Sequence, residues 1–303
     1  MWKKIIPYAL LVPQIILGII FISGLTTGIT QSLGVIPAFG LTEPTFKYYK
    51  EILSRPDIVK SITYSLYIAF TSAALAVLIG VGMCALFVMT TDVKGKGMRL
   101  IQLPIIVPHV VVALFVVNIL SQNGLLARLL CALGFIKEQQ DFVQLLYSTN
   151  GVGIIIAYLW KEIPFVIYFV IALMANINGS LGEAAINLGA SRRKAFMKVT
   201  LPLCRRAIGS SFLIIFTFAL GAYELPLLLG PTSPEALPIL AHTQYIHPEL
   251  DNRPYAMALN GIIILISMIC AIAYFLLMRR NTEILKRRKA EKQHNDKKKQ
   301  LFK

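Results

Sequence analysis

The sequence has few charged residues for a chain of 303: Asp, Glu, Lys and Arg together make up 15%. A soluble domain carries about 25% charged residues, most of them on its wetted surface. Hydrophobic residues account for 56% of the chain, and the mean hydropathy is +0.67. Several apolar runs reach the roughly 20 residues that a helix needs to cross a membrane. The composition therefore predicts an all-α membrane protein.

Common catalytic and nucleotide-binding motifs are also missing. The chain has no G-x-x-x-x-G-K-[ST] phosphate loop and neither H-E-x-x-H nor G-x-S-x-G, so we do not expect it to hydrolyse ATP or act as a familiar hydrolase. Its four cysteines, Cys84, Cys131, Cys204 and Cys270, form no CxxC pair. They indicate no disulfide framework or metal site, and we expect small packing residues and no cofactor.

Six membrane spans are predicted from the apolar runs, near residues 5–29, 61–89, 98–120, 151–175, 207–230 and 255–278. The first run has the basic start of a signal peptide, but it is long and no A-x-A cleavage site follows, so we interpret it as a retained span. In the second, Ser72, Ala76, Gly80 and Cys84 recur every four residues. Such a stripe of small side chains lets another helix approach closely, and internal packing is sufficient to explain it, although a subunit contact is an alternative.

Basic residues are distributed unevenly between the two sides of these spans. With six spans, the termini and the loops at 90–97 and 176–206 share one side, which holds 22 of the 30 Lys and Arg residues, against 7 on the other. The positive-inside rule then places both termini and these loops in the cytoplasm. The basic tail from Arg279 follows a span on that side, which favours lipid contact or disorder over nucleic-acid binding.

A polar stretch interrupts the apolar runs at residues 183–202, EAAINLGASRRKAFMKVTLP. Ser180 and Glu183 fit a capping box that would begin a short helix. Gly189 tolerates left-handed dihedral angles, and Ser191 can cap a second short helix that Leu201-Pro202 would end. The pattern predicts a helix-turn-helix outside the bilayer, whose apolar side consists of Leu188, Ala195, Phe196 and Val199.

This stretch resembles the EAA loop of permease subunits in binding-protein-dependent ABC importers. The matching spacing is E-A-A, three residues, Gly, nine residues, Val, one residue and Leu-Pro, with Val199 where the pattern usually has isoleucine. The resemblance extends over roughly residues 60–278 and implies the type I importer permease fold with six transmembrane helices. The residues it assigns to ATPase coupling are Glu183, Ala184, Ala185, Gly189, Arg192, Arg193, Val199, Leu201 and Pro202.

The resemblance implies a non-catalytic transport subunit in the plasma membrane of a prokaryote. Its partners would be a cytoplasmic ABC ATPase dimer, a second permease of the same or a different chain, an external solute-binding protein and membrane lipid. Residues 1–60 would form the first helix and an external segment, 61–278 the permease core with its coupling loop at 180–202, and 279–303 a basic cytoplasmic tail. The later sequence looks most like permeases of the polyamine, iron, thiamine, sulfate and phosphonate group.

Ionisable residues within the apolar runs are candidates for the solute path. Lys161 and Glu162 lie near the middle of the fourth span, and Pro164 is expected to kink or break that turn. Glu224 is expected near the outer end of the fifth span. His109 and Asn118 are weaker candidates. The alternatives are structural pairing or, in a different class of protein, a membrane-embedded enzyme that uses Lys161, Glu162 and Glu224 as acid and base groups.

Overall fold

The computed structural model describes the backbone of residues 2–90 and 96–301 and the side chains of residues 10–90, 98 and 100–279. The described chain is mostly helical and has no β-strands. In chain order its helices are α1 (Trp2–Ser32), α2 (Lys47–Ser54), α3 (Pro56–Thr90), α4 (Lys96–Ile101), α5 (Leu103–Ile106), α6 (His109–Leu120), α7 (Leu125–Ala132), α8 (Val152–Ile177), α9 (Glu183–Asn187), α10 (Arg192–Ala195), α11 (Leu201–Gly221), α12 (Glu224–Leu229), α13 (Leu237–Tyr245) and α14 (Arg253–Leu301).

Six helical segments of the described chain are long and apolar enough to cross a membrane, which confirms the predicted all-α, six-span class. They cover Leu10–Ser32, Pro56–Thr90, His109–Ala132, Val152–Asn187, Arg192–Gly221 and Leu250–Arg279. The predicted bounds are wrong for three spans. The third covers His109–Ala132, the fourth continues to Asn187, and the fifth begins at Arg192 in the polar stretch and ends at Gly221.

The core of the protein forms where α3, α8 and α11 pack together. The small-residue stripe of α3 is completely buried in this packing. A Cβ on Gly80 would lie 2.7 Å from Cβ of Val166 in α8, and the Cys84 thiol lies 3.8 Å from the carbonyl oxygen of Ile167. The stripe therefore serves contact between α3 and α8 within the chain.

The cysteines only partly behave as predicted. Cys84 and Cys204 are fully buried packing residues, and Cys270 is partly buried, but Cys131 in α7 is exposed. The packing interpretation is wrong for Cys131, because α7 is a short helix whose largely exposed surface has few neighbours.

The peripheral elements are α1, α2, α13 and α14. Helix α14 packs against the other three, and the Tyr49 hydroxyl of α2 donates a 2.8 Å hydrogen bond to Ser32 Oγ of α1. The backbone of α14 stays helical to Leu301, so the disorder that was one expectation for the basic tail is not found. Lys, Arg, Glu and Ala are strong helix formers, which explains the extension.

Candidate functional site

The polar stretch forms a hairpin between two long helices. Helix α8 continues through a π-turn at Asn178–Gly182 into α9, the chain reverses, and α10 continues through a second π-turn at Phe196–Thr200 into α11. We call residues 178–202 the polar hairpin. Its two arms are thus direct extensions of α8 and α11.

The reversal of the hairpin is a Schellman motif, in which a left-handed residue closes the end of a helix. The Ala190 amide donates to the Ala185 carbonyl at 3.0 Å, and the Gly189 amide donates to that of Ile186 at 2.8 Å. Gly189 has φ of +90°, which confirms the predicted left-handed glycine. Ser191 Oγ accepts a long 3.4 Å hydrogen bond from the Lys194 amide, so the predicted cap of α10 is also present.

Two predictions about the ends of the hairpin are wrong. The capping box does not form, because α9 continues from α8 and has no free N-terminus to cap. The Ser180 hydroxyl instead donates to the Asn176 carbonyl at 2.9 Å. Pro202 does not end the predicted helix-turn-helix either. It lies in the first turn of α11, after a π-turn that has already shifted the backbone hydrogen bonding. A missing amide is tolerated at such a position.

The two π-turns are joined where the arms of the hairpin meet. The Thr200 hydroxyl, which is fully buried, donates to Asn178 Oδ1 at 3.1 Å. Gly182 makes this approach possible, because a Cβ there would lie 2.8 Å from the same Asn178 oxygen and 3.3 Å from Thr200 Oγ1. π-turns within α-helices are frequent at functional sites. One hydrogen bond thus ties the end of α8 to the start of α11.

The exposed face of the hairpin differs from the predicted apolar side. Leu188 is 89% exposed, but Ala195 and Phe196 are buried within the chain, and Val199 is partly buried. Met197, which the prediction omitted, is 54% exposed. The basic residues of the hairpin, Arg192, Arg193, Lys194 and Lys198, are all exposed, as are Glu183 and Ala184.

A groove of about 260 Å³ lies where the hairpin meets the end of α3. Glu183, Ile186 and Arg192 line it from the hairpin, together with Asn178 and Met89. The hairpin therefore presents a basic rim, one prominent leucine and a polar groove. These features are typical of a protein contact.

The second candidate site lies where the third and fifth predicted spans are broken. Pro108 disfavours helix at the preceding residue, and Val107 is extended with ψ of 128° between α5 and α6. In the fifth span the chain leaves the helix after Gly221 and resumes at Glu224. A continuous helix there would set the Pro226 ring against the carbonyl of Ala222. Both breaks could have been predicted from these prolines.

Lys161 of α8 donates hydrogen bonds to the backbone at the break in the third span. It is only 8% exposed, and its Nζ donates to the carbonyl of Val107 at 2.5 Å, with that of Ile105 at 3.5 Å. These carbonyls are free because the helix stops there. These contacts favour the structural alternative for this lysine, with a partner in the backbone of the same chain.

Glu224 begins α12, which packs against α6 and α8. Its Oε2 lies 3.6 Å from Nδ1 of His109, the first residue of α6. The imidazole also lies 5.4 Å from the ring of Phe218, and its Nε2 is buried without a hydrogen-bond partner in the described part of the chain. His109, only a weak candidate from sequence, thus meets Glu224 across the two breaks.

Glu162 and Tyr158 line the same region from α8. Glu162 is 8% exposed, and among the described residues it forms no ion pair with Lys161. The Tyr158 hydroxyl is fully buried and has no hydrogen-bond partner among the described residues. We call His109, Tyr158, Lys161, Glu162 and Glu224 the polar cluster.

Pro164 and Asn118 are not members of the polar cluster, although both were candidates for the solute path. Helix α8 is continuous through Pro164, so the turn is not broken, and the expected kink stays a prediction. The breaks occur in the neighbouring spans instead. The side chain of Asn118 is exposed and donates to the Leu114 carbonyl of its own helix at 2.8 Å, which is a local contact.

The sequence matches the family described as "Binding-protein-dependent transport system inner membrane component" over residues 76–283. It is 27% identical over 231 residues to the ferric transport system permease protein FbpB of Actinobacillus pleuropneumoniae, covering 74% of this chain and 32% of that protein. It is 25% identical over 239 residues to the spermidine/putrescine transport system permease protein PotC of Escherichia coli, covering 79% and 81%. The chain thus spans about a third of the ferric permease, which is much longer.

Among solved structures, the fold is similar to a chain of a bacterial alginate ABC transporter in complex with an alginate pentasaccharide-bound periplasmic protein. The TM-score is 0.71 at 22% sequence identity, and the match covers 92% of this chain and 97% of that chain. At this identity the likeness concerns the fold alone.

Proposed function

The chain belongs to the family of binding-protein-dependent transport system inner membrane components, and from this premise we propose that it is the permease subunit of an ATP-driven importer. In this proposal the polar hairpin receives the movement of a cytoplasmic ATPase. The polar cluster forms part of the path for a small polar solute. An external binding protein delivers the solute, and a second permease completes the path.

One observation carries the proposal: the helices that hold the hairpin also hold the cluster. Helix α8 bears Lys161 and Glu162 and continues into the first arm of the hairpin. Helix α11 begins at the second arm and ends just before Glu224. A displacement of the hairpin therefore acts on two sides of the cluster through packed helices, which have few ways to absorb it.

The chemistry of the cluster favours a cationic solute. Glu162 and Glu224 supply two carboxylates, whereas the Lys161 ammonium is already engaged by backbone carbonyls. Half-exposed Glu224 is the accessible carboxylate, with 56% of its side chain exposed. Of the solutes in the names of the relatives, ferric iron and spermidine or putrescine suit this charge better than sulfate does.

The exposed hairpin supports the proposed ATPase contact. Leu188 can enter an apolar pocket while the basic rim meets acidic residues at its edge, an arrangement common to protein interfaces. The hairpin lies on the side that holds most basic residues. We therefore propose that the hairpin and both termini are cytoplasmic.

The alternative of a membrane-embedded enzyme has no support from the family, which is one of transport permeases. An acid-base mechanism would need the Lys161 ammonium to be mobile. That ammonium is instead held by backbone carbonyls at the break in the third span. The observed contacts of Lys161 thus suit a structural role better than proton transfer.

The proposal is tested by tagging the full chain in its native host and purifying it. We expect an ABC ATPase to co-purify and uptake of a cationic solute to be lost when the gene is deleted. Glu224→Gln should leave the purified complex intact and reduce uptake about tenfold, which corresponds to about 1.4 kcal/mol of lost interaction with the cation.

Glu249→Gln is the matched control, because Glu249 is exposed in the segment before α14, away from the breaks. It should leave uptake unchanged. Purification without any ATPase would refute the importer. Loss of sulfate or molybdate uptake alone would keep the importer and refute the cationic solute.

A further inference from the structure

A polar pocket lies before the start of α8, at the end of that helix opposite to the polar hairpin. The segment between α6 and α8 encloses a volume of about 340 Å³ there, and sites for small molecules have volumes of about 300–1,000 Å³. Leu120 and Leu146, which are 8% and 3% exposed, form part of its apolar floor. The polar side chains of its lining are those of Ser121, Gln122, Asn123, Gln139, Gln144 and Tyr147. We call this pocket the amide pocket.

Most of the side-chain amides in the amide pocket have no partner among the residues that the structure describes. Gln122 makes one hydrogen bond, a long one of 3.4 Å from Nε2 to the Phe142 carbonyl. The side chains of Asn123, Gln139 and Gln144 make none within the described chain, and all three residues are exposed. Each carboxamide offers two N–H donors and an acceptor oxygen. The pocket thus presents several hydrogen-bonding groups that are free for a ligand.

Tyr147 forms one wall of the pocket in an uncommon backbone conformation. Its φ is +56°, the only positive φ of a non-glycine residue in the described chain. Its amide donates to the Leu229 carbonyl, at the end of α12, at 3.0 Å. Residues in such conformations persist where their surroundings fix them, and ligand-binding sites are rich in them. Tyr147 is 54% exposed, so it adds a fixed aromatic surface to the pocket.

These groups fit a neutral, hydroxyl-rich ligand. A hydroxyl group both donates and accepts hydrogen bonds, as a carboxamide does. None of the described side chains that line the pocket is charged, so the pocket offers no partner to a phosphate, a carboxylate or an ammonium group. Asp141, close by in the sequence, accepts instead from the backbone amides of Lys137 and Glu138. The C–H groups on the face of a sugar ring can pack against an aromatic ring such as that of Tyr147.

We propose that the amide pocket binds a neutral sugar. The sugar ring packs on Tyr147, and its hydroxyl groups exchange hydrogen bonds with the amides of Asn123, Gln139 and Gln144. This ligand differs from the cationic solute of the polar cluster, and its binding does not depend on the proposed import.

The test is saturation-transfer NMR on the full chain, purified with any subunits that accompany it in a detergent without a sugar headgroup. Two probes share one sugar ring: N-acetylglucosamine carries a neutral acetamide, and glucosamine carries an ammonium group. We expect N-acetylglucosamine to bind, and glucosamine and the anionic glucuronate to bind about tenfold more weakly, because their charges find no partner in the pocket. Absence of transfer to N-acetylglucosamine, or equal binding of a charged sugar, would overturn the proposal.

Two variants test whether the sugar occupies the amide pocket. Gln144→Met removes the amide and keeps the length of the side chain, and it should weaken binding about fivefold, the effect of one lost hydrogen bond. Tyr147→Asn removes the ring and should weaken binding by a similar factor without unfolding, because asparagine tolerates positive φ. Tyr147→Phe keeps the ring and should retain binding. Gln140→Met is the matched control, because Gln140 is exposed in the same segment but its amide donates to Glu138 outside the pocket.

Unchanged binding in both Gln144→Met and Tyr147→Asn would place the sugar on another surface or subunit and refute the proposal. A neutral peptide in large excess, N-acetyl-trialanine amide, separates the two classes of ligand that carboxamides can bind. It should leave the sugar bound, because it has neither the hydroxyl groups nor the ring. Full displacement would assign the pocket to a peptide and overturn the sugar.

Discussion

The polar hairpin and the polar cluster are connected by the same two helices, α8 and α11, yet they are held in different ways. The hairpin is exposed, and its backbone geometry maintains its shape. It has a Schellman turn at Gly189 and two π-turns whose close approach depends on Gly182. The cluster is mostly buried, and one side chain, Lys161, donates to the backbone carbonyls at the break in the third span. A change at buried Lys161 therefore threatens the fold, whereas changes in the hairpin threaten only its position.

The largest effect is expected from Lys161→Met. Methionine keeps the length and apolar stem of lysine but leaves the carbonyls of Val107 and Ile105 without a donor, in a site where solvent reaches poorly. An unsatisfied buried acceptor costs about 1–3 kcal/mol. We expect a loss of about 3 kcal/mol, seen as a lower thermal midpoint of the purified complex and reduced yield.

Lys137→Met is the control for this change, because Lys137 is exposed in the segment between α7 and α8. Its thermal midpoint should equal that of the unaltered protein. A Lys161→Met complex with unaltered stability but no uptake would place Lys161 in the solute path and contradict its structural role.

Much of this arrangement could be predicted from the sequence because it depends on local rules. Six apolar runs of sufficient length predict six spans, and the glycine and serine of the hairpin predict its turn and its second cap. The spacing of small residues in α3 correctly predicts a close helix contact. In each case the residues that decide the structure are neighbours in the chain.

The errors arise where a distant element changes a local rule. Ser180 and Glu183 fit a capping box, but α8 continues past them and removes the terminus that a cap requires. Pro164 was expected to kink or break its helix, and the break does not occur, because α8 is packed between α3 and α11 and stays continuous. The contact between His109 and Glu224 joins residues 115 positions apart, so no local pattern contains it.

A smaller effect on stability, but a specific effect on coupling, is expected from Gly189→Ala. No atom lies within 4 Å of the added Cβ, so only the strain of φ +90° opposes alanine. That strain is about 1–2 kcal/mol. We expect it to tilt the hairpin, but it is too small to unfold a protein of six spans. We expect normal membrane insertion, reduced uptake and ATP hydrolysis that no longer responds to the loaded binding protein.

Two glycines serve as controls for this change. Gly40 also has positive φ, +72°, and open space around it, but it lies after α1, so Gly40→Ala carries similar strain without affecting the hairpin. Gly179 lies in the first π-turn with open space and no positive φ, so Gly179→Ala adds no strain. Coupling should be normal in both, and a matching defect in Gly40→Ala would show that the effect is general.

The smallest effect is expected from Thr200→Val, which removes one hydroxyl and keeps the shape of the side chain. The change leaves Asn178 Oδ1 without its 3.1 Å hydrogen bond from Thr200 and loosens the joint between α8 and α11. The loss is about 1 kcal/mol, too little to prevent assembly. Thr200→Ser retains the hydroxyl and is the matched control. In reconstituted vesicles we expect Thr200→Val to hydrolyse more ATP per solute imported than Thr200→Ser, because part of the hairpin movement is absorbed at the loosened joint. Equal ratios in the two variants would mean that packing alone, through buried residues such as Phe196, makes the joint rigid.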